Sequence, residues 1–405
     1  MQNKKNMNQL FRHLKGDRAI WALVGILAIF SFMPVYSAST NLVYVVGNGS
    51  TLGHLVKHAV LLCMGFAIMF GIHKIPYRYF SGGSVLLFPV VIVLLMVTLA
   101  QGTIIGGANA SRWIRLPVLG VGFQTSTLAS LVLMVYVARY LARRKDRHIE
   151  FKESLLQFWL PIGGTLLLIL PANFSTTALL FLMVLLVAFI GGYPRKYLVF
   201  IVAGSIGILA IFVLIVKAFP DAMPNRVATW QSRIENFSNK ENAEGYQVEK
   251  AKIAIATGGL TGRGPGKSVQ KNFLPQSSSD FIFAIIVEEY GIVGALTVLS
   301  FYFLLLFRIL VAAQKAGTVF GTLLVVGAGL PIVFQAIINM SVATNMIPVT
   351  GQTLPLISSG GTSIWMTCFA LGIVLSVSSS KDVTEEELEK ESDDPLSILH
   401  ETIHE

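Results

Sequence analysis

Long apolar runs without polar interruptions recur along nearly the whole sequence. A helix needs roughly 20 apolar residues to cross the hydrocarbon core of a bilayer, whereas the strands of a membrane barrel alternate apolar and polar residues. Because these runs are continuous, they predict helices rather than strands. We therefore predict an all-α polytopic membrane protein with ten spans, near residues 19–37, 55–73, 83–101, 122–142, 155–172, 174–192, 197–217, 282–311, 317–345 and 361–379.

The composition agrees with this pattern and excludes other classes of protein. Hydrophobic residues make up 54% of the 405 residues and charged residues only 13%, whereas soluble globular proteins carry about 25% charge. Disordered chains are poor in apolar residues and are excluded as well. The two cysteines, Cys63 and Cys368, both lie in apolar runs. Neither a disulfide framework nor a metal–thiolate site is therefore expected.

Basic residues are concentrated in alternate connections between the predicted spans. These connections lie near residues 74–78, 143–152, 195–196 and 308–315. The positive-inside rule places them, and both termini, in the cytoplasm. The long connection 218–280 then lies outside, where no ATP pool exists, so an enzyme acting there needs a donor that is already activated.

This topology predicts three regions of the chain. They are a basic cytoplasmic N-terminus (1–18), a ten-helix membrane domain (19–380) that includes the extracytoplasmic loop 218–280, and an acidic cytoplasmic tail (381–405). The tail holds ten acids and two lysines, so residues 1–380 carry a net charge of +17. Membrane proteins gather Lys and Arg at the cytoplasmic face, so this charge does not indicate a nucleic-acid partner.

Carboxylates are scarce before the tail, and only Asp280, Glu288 and Glu289 lie at or within a predicted span. Charged groups at membrane depth are costly and usually serve a function. On a continuous helix Glu289 lies opposite Asp280 and Glu288 about 80° from it, so the three are not expected to act as one carboxylate pair. Asp280 is either a helix N-cap or a general base. The glutamates either serve the site or form ion pairs with another span.

The run Gly262-Arg-Gly-Pro-Gly-Lys-Ser268 is similar to a phosphate-binding loop, but Thr261 occupies the position of its first glycine. Two interpretations stay open. The run is either a flexible turn, or a Gly-rich turn that presents backbone N–H groups and Lys267 to a phosphate. Arg263 and Lys271 add positive charge close by in the sequence.

Two further stretches carry polar residues at the edge of predicted spans. Trp113 follows Arg112 in an outer connection; it either anchors the chain at the membrane interface or stacks on a sugar beside a phosphate-binding arginine. Residues 350–363 contain Gly and Pro and predict a tight re-entrant turn. Gln335 and Asn339 are expected to bond to neighbouring helices.

Together these stretches resemble the SEDS family (shape, elongation, division and sporulation), the FtsW/RodA membrane proteins, over about residues 19 to 380. The most specific matches are Gly245-Tyr-Gln247, Gly264-x-Gly266-x-Ser268-Val-Gln-Lys271, Leu274-Pro275, Asp280-Phe-Ile-Phe-Ala284, Glu288-Glu289-x-Gly291, Gln335, Asn339, Pro348-x-Thr350-Gly351-x-x-Leu354-Pro355-Leu356 and Ser358-x-Gly360-Gly361. The Ser-Val-Gln-Lys and Thr-Leu-Pro-Leu runs are more similar to the division branch, FtsW, than to the elongation branch, RodA.

The resemblance implies a peptidoglycan glycosyltransferase of the bacterial cytoplasmic (inner) membrane that polymerises lipid II at its periplasmic face. It implies a class B penicillin-binding transpeptidase as partner, with other divisome proteins and membrane lipids around it. Polymerisation in the family depends on the aspartate that Asp280 matches, and the tryptophan that Trp113 matches also matters. We expect Asp280 to accept the proton of the acceptor sugar's 4-hydroxyl.

Substrate binding needs positive charge where the leaving diphosphate develops negative charge. The candidates for this task are Arg112, Arg263, Lys267 and Lys271. The other candidate substrate-binding residues, taken from the matched motifs, are Gln270, Glu288, Glu289, Thr350 and Ser358. No protein metal site and no organic cofactor are predicted, although a divalent cation such as Mg²⁺ or Mn²⁺ could share the charge of the diphosphate.

The chain departs from the family pattern at a few positions. Thr125 and Thr127 stand where the family has Pro and Glu, Asn173 stands where it has Asp, and Ser359 stands where it has Tyr. Asp280 is retained, so we expect an active enzyme. A lipid II flippase, an elongation-type polymerase and a scaffold for division proteins are the alternatives, because ten spans with acids near the membrane suit transporters as well.

Overall fold

The computed structural model describes residues 14–44, 50–101, 104–105, 108–109, 113–115, 122–145, 149–218, 243–274 and 276–392. Its helices are α1 (Arg18–Tyr44), α2 (Thr51–Ile72), α3 (Arg78–Gln101), α4 (Thr125–Arg143), α5 (Phe151–Ser154), α6 (Leu160–Ile169), α7 (Phe174–Ile190), α8 (Arg195–Ala218), α9 (Ala243–Gly258), α10 (Ile282–Lys315), α11 (Val319–Ala343) and α12 (Gly361–Ser392). The described strands form two antiparallel hairpins, β1 (Ile104–Ile105) with β2 (Ala108–Asn109) and β3 (Trp113–Arg115) with β4 (Gly122–Gln124).

The predicted helical membrane fold is confirmed. Within the described ranges, eight helices are long and apolar enough to span a membrane, namely α1, α2, α3, α4, α8, α10, α11 and α12. Helix α7 is apolar but shorter, with 17 residues. Every predicted span overlaps a helical segment, whereas the number of ten crossings stays a prediction.

The fifth predicted span, 155–172, is not a regular helix, because a π-helical turn (Leu155–Trp159) joins α5 to α6. Pro161 has no N–H, so it cannot donate to the carbonyl of Gln157 one turn earlier. The hydroxyl of Tyr136 in α4 donates to that carbonyl instead, at 2.5 Å. This hydrogen bond supplies a donor to the Gln157 carbonyl and links the π-helical turn to α4.

Helix α10 is broken at Gly291, whose φ of 67° lies in the left-handed region. A Cβ at this position would lie 2.3 Å from the carbonyl oxygen of Leu260, so only glycine fits. After the break, the N–H groups of Ile292 and Val293 donate to the carbonyls of Gly259 and Leu260 at 2.9 and 3.2 Å. The half of α10 before the break is buried on nearly every side.

The core lies among α4, α10, α11 and α12, of which α11 and α12 each pack on the other three. Helix α9, from the long connection 218–280, packs on α10, so part of that connection is ordered against the bundle. Helix α8 is peripheral, since Leu198 near its start is the one buried residue among its described positions. The fold therefore holds the start of α10 inside protein and leaves α8 at the edge.

Candidate active site

Asp280 lies in the turn 276–281 that leads into α10, and the residue is half-buried. The N-cap position of α10 belongs to Phe281, which makes no side-chain cap bond. Asp280 thus precedes the helix. The angular separations around the helix axis that the sequence predicts between Asp280 and the two glutamates assume one continuous helix. They do not apply, because Asp280 lies outside the helix.

The turn that carries Asp280 is tied to the connection between α11 and α12. The N–H of Ser359 donates to the carbonyl of Ser278 at 2.9 Å. The hydroxyl of Ser358 donates to the carbonyl of Ser279 at 2.6 Å and accepts from the N–H of Leu354 at 2.8 Å. Ser358, a candidate substrate-binding residue, is buried and in this structure bridges two backbone segments.

Asn339 in α11 bridges the same two segments. Its side-chain amide donates to the carbonyl of Asp280 at 2.8 Å and to that of Gln352 at 2.7 Å. One turn earlier, the Gln335 amide donates to the carbonyl of Thr353 at 2.9 Å. The expectation that Gln335 and Asn339 bond to neighbouring helices is therefore wrong, because their partners are carbonyls of irregular backbone.

The connection between α11 and α12 is irregular where the sequence predicts a turn. Gly351 and Leu356 have φ values of 69° and 66°, and the hydroxyl of Tyr302 in α10 donates to the carbonyl of Pro355 at 2.5 Å. Side chains from the helices thus satisfy this backbone, as a membrane protein requires. Thr350, a second candidate substrate-binding residue, has a buried hydroxyl with no hydrogen-bond partner among the described residues.

Glu288 and Glu289 are fully buried and organise the Gly-rich run before α10. Glu288 accepts hydrogen bonds from the Ser268 hydroxyl and from the N–H groups of Val269 and Gln270, at 3.0 Å for Val269 and 3.2 Å for Gln270. Glu289 accepts from the Ser268 N–H at 3.3 Å and from the hydroxyl of a serine in α1. The two carboxylates therefore hold the loop against the bundle.

The backbone of the loop points inward as well. The N–H groups of Arg263 and Gly264 donate to the carbonyls of Glu288 and Glu289 at 3.0 and 2.9 Å. The interpretation that this turn presents its N–H groups to a phosphate is wrong for these two amides, because backbone carbonyls of α10 already accept from them. Lys267 is exposed and stays a candidate.

The candidate cations on this loop have different surroundings. The Arg263 guanidinium lies 3.9 Å from the Glu288 carboxylate and is 40% exposed. The Lys271 ammonium donates to the hydroxyl of Ser37 in α1 at 3.3 Å and to the carbonyl of Gly266 at 2.8 Å. The ion pair expected for Glu288 thus forms with a loop residue rather than with another span.

The Arg-Trp pair is only partly covered by the structure. Arg112 lies outside the described residues, and only the backbone of Trp113 is described, at the start of β3. In the hairpin Trp113 pairs with Gln124, whose N–H donates to the Thr362 hydroxyl of α12 at 3.2 Å. The hairpin is thereby fixed above the start of α4 and α12.

A cavity of about 120 Å³ lies inside the bundle, walled by α4, α7, α11 and α12 and by residues 351–353. Its polar lining consists of amides and hydroxyls, from Gln124, Thr127, Ser130, Thr176, Gln335, Gln352, Thr353, Ser363 and Thr367. The described lining contains no ionisable side chain. The sequence analysis did not identify Gln352 and Thr176 as residues of this cavity. The recurrence of polar residues within apolar runs is the signal that could have pointed to them.

One departure from the expected family pattern lies in the lining of this cavity, and a second contacts a lining residue. Thr127 lines the cavity. Asn173 caps α7 by accepting from the Thr176 N–H at 3.2 Å, and the Thr176 hydroxyl accepts from the Gln352 amide at 2.8 Å. The expected carboxylates are thus replaced by neutral groups where the wall is otherwise uncharged.

Among the described residues, no group of three His, Cys, Asp or Glu side chains could hold a metal ion. The residues present do not form a resident cation site there. We therefore derive no step of the chemistry through a protein-bound metal.

Comparison with known proteins identifies the family. The model of a family described as "Cell cycle protein", FtsW/RodA/SpoVE, matches residues 17–383. A probable peptidoglycan glycosyltransferase FtsW from Nitrosomonas europaea is 31% identical over 89% of this chain and 92% of its own length. A protein of the same description from Escherichia coli O157:H7 is 33% identical over 89% of this chain and 85% of its own length.

Solved structures share the fold as well. A chain from "Structural coordination of polymerization and crosslinking by a peptidoglycan synthase complex" superposes with a TM-score of 0.70 at 25% identity, covering 90% of this chain and 98% of its own. The rod shape determining protein RodA of Thermus thermophilus gives a TM-score of 0.63 at 25% identity, with 89% and 96% covered. With its apolar helices, the chain is an integral inner-membrane protein. It belongs to the FtsW/RodA/SpoVE family of cell cycle proteins.

Proposed function

We propose that this protein is a peptidoglycan glycosyltransferase that polymerises lipid II into glycan strands for cell division. The relatives described as peptidoglycan glycosyltransferases FtsW, which match nearly the whole chain, support this function. The observation that carries the proposal is the placement of Asp280. This half-buried acid lies at the start of α10, in a turn whose backbone is fixed from two sides.

In the proposed reaction Asp280 acts as the general base. The 4-hydroxyl of the acceptor sugar attacks the anomeric carbon of the donor, its proton passes to the Asp280 carboxylate, and the bond from that carbon to the diphosphate oxygen breaks. The polyprenyl diphosphate leaves with the electron pair. Such proton transfer to a positioned base is typically worth about 10²–10⁴ in rate.

The leaving diphosphate needs positive charge, and the loop before α10 supplies it in this proposal. Arg263, Lys267 and Lys271 lie on a loop that Glu288 and Glu289 hold in place. Arg112 remains a candidate from sequence alone. Fixed cations around a developing anion stabilise the transition state because they need no reorganisation during the reaction.

The orientation of the proposed site follows from charge. The positive-inside rule places both termini in the cytoplasm and the loop before α10, with Asp280, in the periplasm. Lipid II brings its own activation in the sugar–diphosphate bond, so the reaction there requires no nucleotide. The remaining candidates Trp113, Gln270, Thr350 and Ser358 belong to the same proposal as substrate-contacting or site-supporting residues.

Asp280→Asn should abolish polymerisation, because the amide cannot accept the proton. The measurement is chain growth from labelled lipid II by the purified full-length protein in detergent. Glu249→Gln is the matched control, since Glu249 is an exposed acid on α9, and it should keep its activity. Full polymerisation by Asp280→Asn would refute the base role; translocation of lipid II in liposomes without polymer from the unaltered protein would favour a flippase.

We also propose that a class B penicillin-binding transpeptidase is the partner, with further divisome proteins around the pair. The solved peptidoglycan synthase complex that matches this fold supports a polymerase working beside a crosslinking subunit. Polymerisation should rise when the cognate division transpeptidase is added to the purified protein. An equal or greater rise with the elongation transpeptidase would argue against the division role.

A further inference from the structure

We propose that Asn339 is a positioning residue that sets the place of Asp280 for catalysis. The inference rests on the proposed function, because it takes Asp280 as the general base. Asn339 itself is outside the set of candidate site residues. Asn339 is 1% exposed and lies near the end of α11, well away from Asp280 in the sequence. Its amide is nevertheless bonded to the backbone of that residue.

The hydrogen bonds of Asn339 explain how one side chain can fix two segments. A carboxamide NH₂ group has two donors, and here one goes to the Asp280 carbonyl and the other to the Gln352 carbonyl. Neither carbonyl belongs to a regular helix. A buried carbonyl left without a donor costs the full desolvation penalty of the group, so loss of this amide would force the two segments to move.

Neighbouring bonds restrict the turn but do not replace the amide. Ser358 and Ser359 donate to the carbonyls of Ser279 and Ser278, while Asn339 donates at Asp280 itself. The carbonyl of the proposed base is thus held by a side chain of α11, one of the most deeply buried spans. The Asn339 Oδ1 atom is buried without a partner among the described residues, so the donors rather than the acceptor hold the side chain in place.

The position of a general base has a steep effect on rate. A misplacement of about 1 Å far from the chemistry can cost about 10²-fold. Asn339→Ala should therefore lower kcat by about 10²-fold, on the same principle, and change KM for lipid II little. Asn339→Asp retains the shape of the side chain. Its protonated carboxyl can donate to one of the two carbonyls, and its ionised form can donate to neither.

The test is kcat and KM for lipid II polymerisation by the full-length protein over a range of pH, together with melting temperature in detergent. Tyr302→Phe is the matched control. Tyr302 is fully buried, and its hydroxyl donates to the carbonyl of Pro355, which belongs to the same connection and not to the Asp280 turn. We expect Tyr302→Phe to lower the melting temperature and keep kcat within about twofold, as for a purely structural hydrogen bond.

The pH dependence separates a positioning role from a structural one. Asn339→Asp should retain part of the activity at low pH, where its carboxyl is protonated, and lose it as pH rises and the carboxyl ionises. The unaltered protein should not show this decrease in activity. The inference is overturned if Asn339→Ala keeps its kcat while its melting temperature falls as in Tyr302→Phe, or if Asn339→Asp follows the unaltered pH curve. If Asp280→Asn abolishes polymerisation while the Asn339 variants remain fully active, this inference is overturned and the proposed function stands. Absence of polymer from the unaltered protein would overturn the proposed function, and the inference with it.

Discussion

At the residue scale, the site depends on carboxylates and amides with defined partners rather than on charge alone. Glu288 and Glu289 are fully buried; Glu288 accepts several hydrogen bonds from the loop before α10, and Glu289 accepts one from that loop and one from α1. Buried charges are tolerated when they are paired and hydrogen-bonded. The polar lining of the cavity is different, because among the described residues it consists of uncharged side chains such as Thr127.

Thr127→Glu tests this neutral cavity. A carboxylate introduced there would lose hydration without a counter-charge among the described lining residues, and this costs stability. We expect the melting temperature in detergent to fall, because a buried carboxylate without a counter-charge destabilises the folded state. Thr127→Gln, of equal length but uncharged, is the control. An unchanged melting temperature for the Glu variant would contradict the expectation.

At the element scale, the break in α10 joins the loop to the helix. Gly291 lets the chain leave helical geometry where the backbone of Leu260 approaches it. The carbonyls of Gly259 and Leu260 then accept from the first N–H groups of the second half, which would otherwise lack intrahelical partners. The backbone at Gly259 and Leu260 therefore supplies acceptors for the first N–H groups after the break in α10.

Gly291→Ala should destabilise the protein markedly. The added Cβ would lie 2.3 Å from the Leu260 carbonyl oxygen, and the left-handed conformation itself costs an L-residue about 1–2 kcal/mol. Thermal unfolding in detergent measures the effect. Gly207→Ala in α8, where the Cβ meets no other atom within 4 Å, is the control and should be neutral or stabilising. Equal stability of the two variants would contradict the proposed strain.

The sequence predicts the helices well, because continuous apolar runs have one stable form in a bilayer. It also singles out Asp280, Glu288 and Glu289, since acids near spans are rare. It does not predict the break at Gly291, because a glycine in an apolar run is compatible with an intact helix. Nor does it predict that Asn339 reaches Asp280, because that contact depends on how two distant segments fold against each other.

At the scale of the whole molecule, charge determines the proposed orientation. Basic connections alternate with nearly uncharged ones, and on the positive-inside rule this alternation is the basis for the proposed cytoplasmic location of both termini. Helix α8 lies at the edge of the bundle, and Leu198 near its start is the one buried residue among its described positions. Helix α9, the next described element, packs on α10.

A reporter fused after Glu405 tests the orientation. We expect a green fluorescent protein fused there to fluoresce and an alkaline phosphatase fused there to be inactive, because the first folds in the cytoplasm and the second needs the periplasm. The same reporters fused after truncation within residues 219–242 should give the reverse result. Phosphatase activity from the C-terminal fusion would invert the topology and move Asp280 to the wrong side for lipid II.

The amide-and-hydroxyl wall of the internal cavity has a consequence for what can bind there. Such a wall can exchange hydrogen bonds with water or with sugar hydroxyls. Its described part presents no ionisable side chain, so a guest that brought its own charge would lose hydration along this part without gaining a counter-charge. The described wall therefore suits neutral, hydroxyl-rich molecules better than ions.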